Sequence, residues 1–139
     1  MQSESIIYID DYAHHPRELE AMISSARQLF PDKKMVVVFQ PHLFSRTRDF
    51  ASEFAKVLDK ADEVILLPVY PARELPIDGV SSETILSKMS TKNKRILNKA
   101  EILAWAAKIR PEEKILLITA GAGDIDELVY PLETLLKTK

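Results

Sequence analysis

The 139-residue chain has no cysteine, only three glycines and no apolar run long enough to cross a bilayer. Without cysteine it can build no disulfide framework, no thiolate zinc site and no cysteine nucleophile. Its glycines, at 79, 121 and 123, assemble neither G-x-G-x-x-G nor G-x-x-x-x-G-K-[ST], which excludes a dinucleotide fingerprint and a P-loop. Apolar runs such as 35–39 span five residues, whereas a membrane helix needs about 20. Charge of one sign is lacking too: 19 basic against 21 acidic residues leave a net charge of -2. Nucleic acid and anionic membranes reward a basic excess, so neither is expected as a partner. The opening Met1-Gln2-Ser3-Glu4-Ser5 is polar and has neither the basic nor the apolar region of a signal peptide, so a cytoplasmic location is expected.

What is present is a chain with 46% hydrophobic residues, enough for one compact domain. Short apolar runs at 5–10, 34–40, 63–70, 95–98 and 114–120 read as strands. Most are continuous rather than alternating, the pattern of strands covered on both faces, as in a parallel sheet. Between them apolar residues recur at helical spacing. Leu19, Met22, Ile23, Ala26 and Leu29 would face the sheet from the first helix, and Phe50, Phe54, Val57 and Leu58 from the second. Ser81 caps a short third helix with its body at 84–89. Ile102, Leu103, Ala106 and Ala107 mark the fourth, and Ile125, Leu128, Val129, Leu132 and Leu136 a last helix that Pro131 should bend or interrupt. Strict alternation of strand and helix predicts an α/β fold with a doubly wound, mostly parallel sheet and helices on both faces. One long irregular connection, 71–80, follows the third strand.

Open parallel sheets bind ligands outside the carboxyl ends of their strands. The reactive residues of this chain cluster there. The first loop reads Asp10-Asp11-Tyr12-Ala13-His14-His15-Pro16, and the second contains His42, Arg46 and Arg48. All three histidines lie in these two loops, and Gly121 and Gly123 lie in the fifth. Two adjacent carboxylates repel and call for a cationic or donor-rich neighbour. They can accept ribose hydroxyls, ligate a metal, or merely cap the helix that starts near Pro16. Arg46 and Arg48 at a helix start oppose the macrodipole, which makes them a poor choice for stability alone. With backbone N–H groups they would form an anion site for a carboxylate or phosphate; the alternative is two solvated arginines, one paired with Asp49 or Glu53.

Two further readings were weighed. A phospho-receiver domain needs an acceptor Asp after the third strand, where this chain has Pro68-Val69-Tyr70. A metal-dependent hydrolase could recruit Asp10, Asp11, His14 and His42, since carboxylate and imidazole suit zinc or manganese. No H-x-x-x-H or H-x-H pair supports it.

The string Asp10 to Pro16, followed by Phe39-Gln40-Pro41-His42-x-x-Ser45-Arg46-Thr47-Arg48, resembles the C-terminal domain of the Mur ligases. Val69-Tyr70-Pro71-Ala72-Arg73-Glu74 with Gly79-Val80-Ser81-Ser82, and Gly121-Ala122-Gly123-Asp124-Ile125, match further loops of that family in order. The resemblance covers essentially the whole chain. It implies a Rossmann-like third domain, with a sheet of five to six strands, from a three-domain ATP-dependent ligase of peptidoglycan precursor synthesis. The branch most resembled joins L-alanine to UDP-N-acetylmuramate; a tripeptide-recycling branch has Phe where Tyr12 stands. A standalone nucleotide or amino-acid binding module is the other alternative. By resemblance, His14, Arg46 and Tyr12 would bind L-alanine, and Asp11 and Tyr12 would bind ATP. His42, Arg48, Gly121 and Gly123 would support the site. Magnesium would be held mainly by the central domain, so no metal ligand is expected here, and the isolated domain should be inactive. Leu43 stands where some members have Arg.

Overall fold

The structure is a computed structural model that describes residues 5–139; residues 1–4, part of the polar opening that lacks signal-peptide features, lie outside the described residues. Five strands form one sheet in the order β1-β5-β2-β3-β4, every pair parallel. They are β1 (Ile7–Asp11), β2 (Lys34–Phe39), β3 (Glu63–Leu66), β4 (Lys94–Ile96) and β5 (Ile115–Ala120). The crossover helices are α1 (Pro16–Leu29), α2 (Phe44–Leu58), α3 (Ser82–Leu86) and α4 (Lys99–Ala107), with α5 (Val129–Lys137) closing the chain. Short 3-10 turns occupy Pro111–Glu113 and Asp124–Leu128. The doubly wound parallel sheet expected from the apolar runs is therefore present, with five strands among the described residues.

Alternate residues of the central strands feed two separate cores. Met35, Val37, Phe39, Leu116 and Ile118 pack with Leu19, Ile23 and Ala26 of α1, Phe54 and Leu58 of α2, and Ile85 of α3. Val36, Val38, Ile115 and Leu117 pack on the other face with Ile102 and Ala106 of α4 and Leu132 and Leu136 of α5. Every residue of β5 is buried, which explains why its sequence does not alternate with polar residues. The one polar side chain in that strand, Thr119, is spent on its neighbours. Its hydroxyl donates to Asp10 Oδ1 at 2.7 Å, and Tyr8 donates to it at 2.7 Å. Burial pushes the Tyr8 hydroxyl far above its ordinary value and raises Asp10 as well, with Asp11, Asp126 and Glu133 adding repulsion. Of the cationic or donor-rich neighbour expected beside the adjacent carboxylates, Asp10 finds a hydroxyl donor.

Several helix stripes end differently from the expectation. Leu29 is 70% exposed because it is the last residue of α1, beyond the sheet edge. Phe50 stands at a kink in α2, with non-helical φ −118 and ψ 18, and is 40% exposed. Ala107, the last residue of α4, is also exposed. Pro131 does interrupt the last helix, but near its start: the 3-10 turn precedes α5, and the proline occupies the first α-helical turn, where a missing N–H costs nothing. Ser81 caps α3 by accepting from the Glu83 amide, and the helix is shorter than expected, ending at Leu86. The third strand also stops early, at Leu66, ahead of Pro68, which has no N–H to give a ladder.

The fully buried Phe39 should cost about 3–5 kcal/mol when truncated in Phe39→Ala. Leu29→Ala should stay within about 0.5 kcal/mol of the parent, despite its place in the same apolar stripe. Urea denaturation of the two variants checks both.

Candidate functional site

Parallel strands deliver all five carboxyl-terminal loops to one edge of the sheet. The second and third loops are stitched together there. Tyr70 N donates to Pro41 O at 2.8 Å, Leu43 N donates to Tyr70 O at 2.8 Å, and His42 and Tyr70 form an isolated parallel bridge. The turn that results puts Leu43, the residue before α2, at φ 73 and ψ 135. A non-glycine residue there stores about 1–3 kcal/mol of strain. Leu43 also offers no side-chain cap, and no acidic residue occupies the first turn of α2.

The missing cap comes from the third loop. Glu74 accepts from Ser45 N at 3.1 Å and from the Ser45 hydroxyl. These bonds, with a further one from the Phe44 amide, hold its carboxyl below the usual range. The helix N-terminus, expected to form an anion site with the two arginines, is therefore already engaged by a carboxylate of the chain itself. Glu74 was not among the expected site residues. The signal for it was the start of α2, Leu-Phe-Ser-Arg-Thr-Arg, which carries neither cap nor acid and so demands a donor's partner from elsewhere.

The two arginines separate. Arg48 is exposed and donates to Asp49 Oδ1 at 2.9 Å, the solvated alternative. Arg46 is half-buried, and its Nη1 is shielded from water with no hydrogen-bond partner. Nδ1 of His42 is likewise buried and unpartnered. Leaving such a group unpaired costs about 1–3 kcal/mol, so the pair marks a place where hydrogen bonds remain to be made.

Around His42 the aromatic residues of the first and third loops close in. Its ring centroid lies 5.9 Å from that of His14 and 5.5 Å from that of Tyr70, and Tyr12 meets His14 edge-on at 5.6 Å. Burial, then the Arg46 guanidinium and His14, hold the His42 ring below its ordinary 6.5, with Glu74 pulling the other way. His14 Nδ1 donates to the Tyr12 carbonyl at 2.9 Å, so Nε2 is the ring nitrogen left to meet a ligand. His15, not Asp10 or Asp11, stands at the N-cap of α1, and Glu18 accepts from the amides of His15 and His14 at 3.0 and 3.2 Å. Asp11 uses Oδ1 to accept from Ala13 N at 2.9 Å. It therefore presents its carboxylate in a loop turn beside the exposed Tyr12 rather than at a helix start.

The fifth loop supports this rim from below. A side chain at Gly123 would place Cβ 2.5 Å from Tyr70 Cγ and 2.6 Å from Gln40 Oε1. Gly121 adopts φ 150, with room for Cβ only 3.0 Å from Ile125. Buried Gln40 spans the gap, donating to Asp124 at 2.6 Å and accepting from Ile125 N at 3.0 Å. Asp124 in turn receives Lys99 Nζ at 2.7 Å. A separate cleft of about 420 Å³ opens between the third, fourth and fifth loops, bordered by Tyr70, Lys99 and Asp124. Among the described residues no three His, Asp or Glu side chains converge as metal ligands, and no helix is long and apolar enough to cross a membrane.

Comparison with known proteins gives this constellation a relation. The sequence profile of the family described as Mur ligase, glutamate ligase domain, matches residues 1–123. The chain belongs to the Mur ligase family. It is 48% identical over 134 residues to a UDP-N-acetylmuramate–L-alanine ligase of Cytophaga hutchinsonii, covering 96% of this chain and 28% of that protein. A ligase of the same name from Flavobacterium johnsoniae is 47% identical over 136 residues, 98% of this chain and 30% of that protein. The fold matches the crystal structure of a UDP-N-acetylmuramate-alanine ligase from Thermotoga maritima with TM-score 0.68 at 28% identity, over 99% of this chain and 27% of that one. The chain thus spans less than a third of the length of these relatives. Within the Mur ligase fold, the rim that unites Tyr12, His14, His42 and Arg46 is built by the two loops whose motifs carry the resemblance.

Because the folded domain holds His42 below 6.5, the unfolded chain takes up this proton first as pH falls. The stability contributed by the neutral ring is full above its unfolded value and is lost as pH drops through it. Denaturation midpoints should fall between about pH 7.5 and about pH 5.5, and should fall less in His42→Asn. Equal losses in both proteins would assign the dependence to another group.

Proposed function

We propose that residues 1–139 form the single third domain of a three-domain UDP-N-acetylmuramate–L-alanine ligase. The domain contributes the amino-acid site and part of the nucleotide site. The observation that carries this is the Arg46 guanidinium, half-buried with Nη1 unpaired, on a rim shared with His14 and Tyr12. A planar, permanently charged donor left without a partner is suited to a carboxylate, which it binds more tightly than a neutral acceptor. Near-full-length likeness to ligases of that name supports the same assignment.

In this reading Arg46, with His14 beside it, holds the carboxylate of L-alanine, and Tyr12 covers it. Asp11 accepts the ribose hydroxyls of ATP through the oxygen not used on Ala13. ATP, when bound, supplies the phosphoryl group that activates the muramyl carboxylate as an acyl phosphate. The residues of this chain do the positioning: they bring the amine of L-alanine to that acyl phosphate with its carboxylate fixed, which is worth several orders of magnitude in effective concentration. His42 and Tyr70 form the wall against which the amino acid is set, Gly121 and Gly123 let the fifth loop approach that wall, and Arg48 lies outside it. Magnesium belongs with the phosphates in the central domain, as does the P-loop that this sequence cannot assemble.

In the full-length enzyme, Arg46→Ala should raise the KM for L-alanine by about tenfold to a hundredfold, and His14→Ala by less, with the KM for ATP little changed. The isolated chain should show no alanine-dependent ATP hydrolysis. Unchanged kinetics in Arg46→Ala would remove the site assignment, and sub-micromolar binding of ATP or L-alanine to the isolated chain would favour a standalone binding module.

A further inference from the structure

Glu74 presents a difficulty for an amino-acid site built on Arg46. It is a carboxylate of the chain itself, bonded to Ser45, the residue immediately before Arg46. Arg46 and Glu74 both act on the His42 imidazole, one as a positive and one as a negative neighbour, and Arg48 acts on Glu74 from the same helix. A carboxylate within reach of a half-buried guanidinium normally pairs with it, often through both oxygens. Here it does not: among the described residues the hydrogen bonds of the Glu74 carboxylate go to Ser45 and the Phe44 amide, and Arg46 Nη1 remains unpartnered.

The reason is visible in the hydrogen bonds. Glu74 spends Oε1 on the Ser45 amide at 3.1 Å and Oε2 on the Ser45 hydroxyl. The residue immediately before Arg46 thus occupies both oxygens of this carboxylate. The helix benefits as well, because an anion at its N-terminus offsets the strained, capless Leu43 and the two arginines of its first turns. The stitching of Tyr70 to Pro41 and Leu43 sets the third loop at the height from which Glu74 reaches Ser45.

We propose that the Ser45–Glu74 clamp withholds the Glu74 carboxylate from Arg46, keeping the guanidinium available to the incoming amino acid and making Ser45 and Glu74 positioning residues of that site. This rests on the assignment of Arg46 to the amino-acid carboxylate. The clamp makes Ser45 a guard against self-occupation: with the hydroxyl removed, Oε2 is released to turn toward Arg46 as an internal competitor of the substrate.

Steady-state kinetics of the full-length enzyme with L-alanine as varied substrate distinguish withholding from simple helix capping. Ser45→Ala should raise the KM for L-alanine by about tenfold while kcat and the KM for ATP stay within about twofold. Ser45→Thr, which keeps a hydroxyl, should restore it. The decisive variant is Ser45→Ala/Glu74→Gln. Removing the competing charge should bring the KM back below that of Ser45→Ala alone, although the double variant has lost more of the clamp. A double variant as impaired as Ser45→Ala, or more so, would overturn the proposal, since a mere cap is not mended by removing its second partner. Because the variants lose part of the α2 cap, their thermal midpoints are measured as well, and midpoints well above the assay temperature exclude unfolding as the cause. Arg46→Ala serves as the reference. If it raises the KM while the double variant shows no recovery, only the clamp falls; if it leaves the KM unchanged, the amino-acid assignment and the clamp fall together.

Discussion

The β2–β5 pairing, six residues in parallel register from Lys34 opposite Ile115 to Phe39 opposite Ala120, is the constraint on which the rest of the molecule depends. Both strands are buried almost throughout, so neither can slip by one residue without exchanging its two apolar faces. Because their directions agree, Gln40 and Gly121 emerge at the same height, and Gln40 N closes on Ala120 O at 3.0 Å. β1 on one side and β3 on the other then bring the loops of the histidines, the arginines and Glu74 to the same edge. The site is a consequence of strand direction before it is a consequence of any side chain.

At that edge the charges are distributed with an evident bias. Asp10 is answered by Thr119, Arg48 by Asp49, Glu74 by Ser45, Asp124 by Lys99 and Gln40, and Glu18 by two backbone amides. Among the described residues, Arg46 and His42 are the places where buried side-chain polar atoms keep no partner. A fold that leaves two such atoms unpaired forgoes stability it could have had, which is the observation behind the proposed amino-acid site. The strain at Leu43 lies one turn away and follows the same pattern.

Much of this was legible in the sequence, for a physical reason. Continuous apolar runs such as Met35 to Phe39 suit strands covered on both sides, and their alternation with helical stripes pointed to the parallel sheet and its two helical layers. The edge at which function is built followed from strand direction, and the histidines and Arg46 are indeed there. The ends of helices were less legible, because periodicity does not reveal where the sheet beneath stops: Leu29 and Ala107 continue their stripes into solvent, and Phe50 turns out at a kink. Long-range partners were not legible. Nothing local to Glu74 shows that it caps a helix beginning thirty residues earlier, whereas the pairing of one arginine with Asp49 stood among the readings because the two are neighbours in sequence.

The proposed role of Arg46 turns on where L-alanine would lie in the full-length protein. A crystal structure of the full-length ligase with L-alanine and a non-hydrolysable ATP analogue measures this. The amino-acid carboxylate should lie about 2.7–2.9 Å from a guanidinium nitrogen of Arg46, with both oxygens of Glu74 still on Ser45. L-alanine bound instead in the cleft beside Lys99 and Asp124, with Arg46 pointing into solvent or paired to Glu74, would contradict it.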